Sequence, residues 1–268
     1  MAIHPMAFVE PGAEIHEEAQ IGPFCRIGPQ VRVGPGSILE NNVTVLGNTT
    51  VGEGNHFFPG AVIGACPQDI TYQGEESGLI IGDYNTFREG VTVNTGTRKG
   101  DGYTVIGSHN LIMACCHIAH DCILQNHIVM ANGVLLGGHV LVQDFVVFGG
   151  LAAVHHFVTI GTMAFVGGMT RVVKDCPPYM TVEGNPAKIW FVNTLGCKRH
   201  GLSDDSVSSL KEAHRVIFRT DGTWSSAFKE LESNGELTRE IQNLIRFLKE
   251  VEQGKQGRAR EALRKDLA

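Results

Sequence analysis

The residues best equipped for chemistry in this chain are its histidines. There are twelve, seven of them between positions 109 and 156, and the densest group is His117-Ile-Ala-His120-Asp121. An imidazole takes a proton from a hydroxyl when its other ring nitrogen is held by a carboxylate or a carbonyl. Asp121 directly follows His120 and offers such a carboxylate. Spacing singles out His120 further. Gly138 and His156 follow it at intervals of eighteen residues, with His117, His139 and His155 close by. A glycine in such a column leaves its backbone N–H open to a developing oxyanion. The group reads as general-base chemistry on an outward-facing column of His120, Gly138 and His156.

Zinc is the competing reading and needs three or four converging ligands. The β-helix carbonic anhydrases pair two histidines five positions apart, but His117 and His120 are three apart and no pair in the cluster matches. No metal ligand is assigned.

The elements that must position these residues follow a six-residue period. Every sixth residue from Ile3 to Ile63 is apolar, and the next is often glycine, as at 22, 28, 34, 52 and 64. The period breaks at Pro67–Leu79, resumes at Ile81, Phe87 and Val93, slips at Lys99–Tyr103, and runs again from Ile106 to Val172. This is neither a helical nor a strand period. A short strand and a corner every six residues make a parallel β-helix, with three units to a coil. Coils then stack about 4.8 Å apart. The two breaks are loops that leave the prism. The aliphatic residues point inward, and the fifth residue of each unit is often small or β-branched. Past Leu202 the pattern turns helical. Ser203 is an N-cap before Asp204 and Asp205, Leu210, Ala213, Val216 and Ile217 share a face, and so do Ile241, Leu244, Ile245 and Leu248. Asn234-Gly235 marks a turn between helical pieces. The fold class is mainly β, a β-helix over 1–190 followed by a helical domain over 191–268.

Composition bounds the function. Of 268 residues 43% are hydrophobic and 19% charged, which excludes a disordered chain. The net charge of −6 argues against a nucleic-acid partner. From Lys198 onward, however, 14 Lys and Arg face 12 Asp and Glu, so this segment is basic while the rest is acidic. The seven cysteines include no CxxC pair, as in reduced thiols. With no secretory start and no run of about 18 apolar residues, a cytoplasmic protein without stable membrane insertion is expected.

Several motifs together carry a family resemblance. They are the repeats, His117-Ile-Ala-His120-Asp121, Leu136-Gly-Gly138-His139-Val, Ala153-Val-His155, Gly167-Gly168, Asp175-Cys-Pro-Pro-Tyr179, Glu183-Gly-Asn185, Lys198-Arg199 and the Pro67-Gln68-Asp69 insertion. The chain resembles the UDP-N-acetylglucosamine acyltransferases that open lipid A, and so lipopolysaccharide, biosynthesis. The resemblance implies a left-handed β-helix assembled as a homotrimer. It implies transfer of an R-3-hydroxyacyl chain from acyl carrier protein to the 3-hydroxyl of a UDP-linked sugar. No cofactor is implied, because the donor rides on the carrier protein's phosphopantetheine. Carried over by position, His120 is the base, Asp121 supports it and the Gly138 amide holds the oxyanion. Asp69, His117 and His139 touch the sugar and neighbouring groups, Gln68, His155, Asn193 and Arg199 fall at nucleotide or donor contacts, and Gly168 leaves room for a long acyl chain. Two positions depart from the family pattern. Thr71 and His200 stand where members often carry basic residues, which leaves a 3-amino sugar acceptor open as the alternative.

Overall fold

The structure, a computed structural model, describes residues 2–233, 236–255 and 257, so the expected turn at Asn234-Gly235 lies outside the described residues. Short strands, most of them two residues long, form three sheets of eleven, nine and eight strands. These are the faces of a left-handed parallel β-helix. Such coils depart from the right-handed rule for parallel crossovers. Two-residue strands carry little of the twist on which that rule depends.

Register shows the coil length directly. His117 pairs with Leu135, Leu135 with Ala153, and Ala153 with Arg171, each eighteen positions on. His56 pairs with Ile38 eighteen positions back but with Thr86 thirty positions on. Thr86 then pairs with Leu111, twenty-five on. The two loops therefore insert twelve and seven residues. They differ slightly from the breaks in the repeat. Strand Gly78–Ile81 already holds the buried Leu79, and strand Tyr103–Ile106 starts at Tyr103, so the loops span 66–77 and 95–102.

The inward aliphatics fill the prism, with Ile27, Ile63, Phe87, Ile118, Met130 and Val166 among its fully buried residues. Phe57 and Phe87 stack at 4.8 Å between ring centres. Each such side chain contributes roughly 1.5–3 kcal/mol by leaving water. One internal row is polar, although the repeat suggested small or β-branched residues there. Asn55, Asn85 and Asn110 are buried, and each side-chain oxygen accepts backbone N–H bonds from the next coil. This ladder satisfies corner groups that water cannot reach.

The corners use left-handed backbone at ordinary residues. Asp121, His139 and Phe157 have φ of 59°, 62° and 66°. That conformation costs about 1–2 kcal/mol per residue. Each corner is tied to the previous coil: the His139 N–H donates to His120 O at 3.0 Å and the Phe157 N–H to Gly138 O at 3.0 Å.

After Val172 the prism closes with Met180–Gly184, which folds back antiparallel onto Ala187–Val192. Four helices follow: α1 (Thr194–Arg199), α2 (Asp204–Phe218), α3 (Trp224–Ser233) and α4 (Arg239–Glu252). Ser203 caps α2 by accepting from the Ser206 N–H, and the expected apolar faces of α2 and α4 are buried. Sequence reading singled out neither α1 nor α3, although Trp224, Ala227, Phe228 and Leu231 of α3 keep the i, i+3, i+4, i+7 spacing of one helical face. Tyr179, Met180 and Val192 of the prism belong to the same apolar cluster as the helices. Among the described residues, no helix is long and apolar enough to cross a membrane.

Candidate active site

One corner of the prism gathers the residues best equipped for chemistry. His120 Nδ1 lies 2.8 Å from Asp121 Oδ2. An ionised carboxylate only accepts hydrogen bonds, so Nδ1 carries the proton and Nε2 of the neutral ring is left to accept one. The His120 ring roofs Gly138 one coil on, with Nε2 2.7 Å from the position a Cβ would take there. Among the described residues no acceptor meets the Gly138 N–H.

The column is more covered than the repeat suggested. The side chain of His120 is 14% exposed and that of Asp121 only 3%. The cover is the second loop, which clasps Asp121. Thr97 donates its N–H to Oδ1 at 2.9 Å and its hydroxyl to Oδ2 at 2.6 Å, and Thr104 Oγ1 accepts the Asp121 N–H at 2.8 Å. Burial alone would raise the Asp121 pKa. The hydrogen bonds from His120 and Thr97, with the nearby His139, prevail and hold it below the usual carboxylate range. Sequence reading missed Thr97, Gly100 and Thr104. The only signal for them was that a buried carboxylate must find donors.

His139 packs edge-on against His120, with ring centres 5.1 Å apart, and its Nε2 is 3.5 Å from Asp121 Oδ2. His120, Asp121 and His139 thus bring one ligand atom each to within 4.8 Å of one another. Spacing along the chain did not show this trio, because His139 comes from the next coil. Asp121 already receives three hydrogen bonds, one of them from His120 Nδ1, and in this set it acts to orient the imidazole.

His117 accepts or donates at 2.7 Å with Thr92 Oγ1, and burial, then the nearby His120, push its pKa down. In the first loop, Asp69 accepts from the Thr71 N–H and hydroxyl, both at 2.8 Å. The Thr71 N–H holds the Asp69 carboxyl below its usual range. Partial burial opposes this, and the Thr71 hydroxyl, Lys99 and His120 add to it. Gln68 is exposed on the same loop. The His155 ring lies 3.8 Å from that of His156. A small cavity of about 80 Å³ touches Asp121 and His139, and a groove of about 990 Å³ runs under the first loop; Asp101 and Tyr103 line both.

Other residues singled out in the sequence lie elsewhere in the chain. Gly168 sits at a different corner, where the Met169 N–H donates to Gly150 O and the Leu151 N–H to Asn132 O. It is forty-eight residues past His120, between two and three coils along the axis, and at a different corner. Asn193 caps α1: its Oδ1 accepts from the Gly196 N–H, and its Nδ2 donates to Met163 O. Arg199 is exposed in the last turn of α1. Two of the clustered histidines belong to the third corner, where Tyr84, His109, His127 and Phe145 stack ring on ring and end at His200.

Known proteins resemble this chain in sequence and in fold. The family model described as UDP-N-acetylglucosamine O-acyltransferase, domain 2, matches residues 175–257, and that of the bacterial transferase hexapeptide (six repeats) matches residues 12–47. A relative from Anaeromyxobacter sp. (strain Fw109-5), named acyl-[acyl-carrier-protein]–UDP-N-acetylglucosamine O-acyltransferase, is 45% identical over 95% of this chain and 99% of its own length. One of the same name from Rippkaea orientalis is 51% identical over 81% of this chain and 78% of its own. The solved UDP-N-acetylglucosamine O-acyltransferase from Moraxella catarrhalis superposes with a TM-score of 0.88 at 39% identity, covering 91% of this chain and 95% of that one.

Proposed function

The chain belongs to the UDP-N-acetylglucosamine O-acyltransferase family, and on that premise we propose that it moves an R-3-hydroxyacyl chain from acyl carrier protein to the 3-hydroxyl of UDP-N-acetylglucosamine. The observation that carries the mechanism is the hydrogen bond from His120 Nδ1 to Asp121, which leaves Nε2 facing the open side of Gly138.

In this mechanism His120 Nε2 takes the proton of the sugar hydroxyl as its oxygen attacks the thioester carbonyl. The oxyanion that forms is held by the Gly138 N–H. When it collapses, the C–S bond breaks and the imidazolium returns the proton to the departing phosphopantetheine thiolate. Asp121 stabilises the imidazolium between these two steps. A positioned base contributes about 10²–10⁴ in rate, and an oxyanion donor about 10²–10³. No cofactor takes part.

His120, Gly168 and Arg199 occupy three different regions of one chain. The proposal includes a homotrimer whose neighbouring copies share a site, as the family resemblance implies. The basic C-terminal segment suits the acidic acyl carrier protein, and that attraction weakens as salt rises. The proposed place of action is the cytoplasm, at the start of lipid A synthesis.

The test is acyl transfer from R-3-hydroxyacyl carrier protein to UDP-N-acetylglucosamine and to its 3-amino analogue, side by side and across a salt series. Preference for the hydroxyl acceptor, with the carrier protein's KM rising with salt, is expected. Exclusive use of the amine would move the function to the related N-acyl transfer. Transfer to neither would overturn the reading.

A further inference from the structure

Between residues 33 and 170 the chain has only three lysines or arginines: Arg88, Arg98 and Lys99. Arg88 is committed to Glu89 at 2.9 Å and lies over the Phe58 ring. Arg98 acts electrostatically on Glu75 of the first loop. Lys99 remains, and its neighbours fix its place. Thr97 donates two hydrogen bonds to Asp121. Gly100 packs so closely on that carboxylate that a Cβ there would stand 2.1 Å from Oδ1. The N–H groups of Gly100 and Gly102 return to Thr97 O at 3.0 and 3.2 Å. Lys99 therefore sits in a turn whose two flanking residues clasp the carboxylate that orients His120.

The first loop, residues 66–77, contains Asp69, Glu75 and Glu76 and no basic residue. Thr71 turns its hydroxyl in to Asp69. Around this corner there are thus three carboxylates, Asp69, Asp101 and Asp121. A nucleotide diphosphate entering this corner meets like charge unless a cation is at hand. Phosphate oxygens are strong acceptors of charge-assisted hydrogen bonds, and a lysine ammonium is a mobile donor on a long stem.

We propose that Lys99 binds the diphosphate of the nucleotide-sugar acceptor, and that Asp69 draws the ammonium toward the site before the acceptor arrives. The assignment rests on the acyltransferase reading and deepens it, placing acceptor recognition on a loop that the repeats do not dictate.

The test compares wild type, Lys99→Ala and Lys99→Arg for equilibrium binding of UDP and of uridine, with transfer to UDP-N-acetylglucosamine assayed on the same preparations. Lys99→Ala should weaken UDP about 10–100-fold, the range of a charged hydrogen bond. Uridine binding should be nearly unchanged, the KM for the acceptor should rise with kcat little altered, and Lys99→Arg should recover most of the loss. Equal losses for UDP and uridine would reduce Lys99 to a prop for its loop and overturn the proposal. Undiminished UDP binding would overturn it too. A wild type that binds UDP through Lys99 yet transfers no acyl group would instead sink the acyltransferase reading and leave this assignment standing.

Discussion

His120 Cε1 stands 2.5 Å from the point that a Cβ on Gly138 would occupy. The imidazole of one coil is the roof over the bare backbone of the next. Gly138 is therefore needed twice, as the floor on which the base rests and as the open N–H proposed for the oxyanion. Its φ lies outside the left-handed region, so alanine does not strain the backbone there. Gly138→Ala should keep the fold by circular dichroism while displacing the His120 ring and lowering kcat by about 10²–10³. A variant with near wild-type rate would remove both roles.

Asp121 should contribute to the pH dependence of stability and activity. Its folded pKa is depressed, so its contribution to stability is present above the unfolded carboxylate pKa and fades as pH falls through the lower folded value. Asp121→Asn takes a negative charge away from His120, and the imidazolium loses support. The acid limb of the kcat/KM profile should therefore move to lower pH, and the plateau should fall by less than removing His120 itself causes. An unmoved limb would mean that Asp121 only packs against the ring.

Gly168 tests the acyl chain and the assembly together. An added Cβ there would meet Gly150 O at 3.3 Å, a contact that a small shift relieves, and the residue is exposed. Gly168→Met should fold, and should shift donor preference from a long 3-hydroxyacyl chain to a shorter one. If neighbouring copies complete the site as proposed, sedimentation should give three times the 29.0 kDa chain mass. An unchanged chain-length preference, or a fully active monomer, would contradict the shared site.

The asparagine ladder should matter to stability rather than to chemistry. Asn85 donates to Asn55 Oδ1 and to Gly107 O, and accepts the Asn110 N–H. Asn85→Ala orphans these buried groups at about 1–3 kcal/mol for each one left unsatisfied. Its thermal midpoint should drop clearly, while the kcat of the remaining folded enzyme stays near wild type. An unchanged melting temperature would show that the ladder is dispensable.

The β-helix was legible because each coil repeats one physical requirement, an aliphatic residue inward every six positions, as at Ile106, Ile112 and Ile118. His120 and Gly138 were legible for the same reason, since a fixed coil length turns sequence spacing into stacking. What the loops contribute was not. Thr97, Lys99 and Gly100 obey no period, and their role depends on where the second loop folds back over Asp121. Histidine number also misled in part. His109 and His127 belong to another corner, where they stack with Tyr84 and Phe145, and nothing in their residue type separates them from His117 and His120. Asn193 shows the same limit, because an asparagine before a helix caps it whether or not it also meets a ligand.

The central claim is that His120 carries the proton step. Its side chain projects from the prism rather than filling it, but it is only 14% exposed and bonds the buried Asp121, so His120→Ala should keep the fold while lowering the melting temperature modestly. The direct measurement is kcat for acyl transfer to UDP-N-acetylglucosamine by purified His120→Ala against wild type. A loss of about 10²–10⁴ with the fold retained is the predicted result, the range for a lost general base. A folded variant that kept more than about a tenth of the wild-type rate, well above that range, would contradict the account.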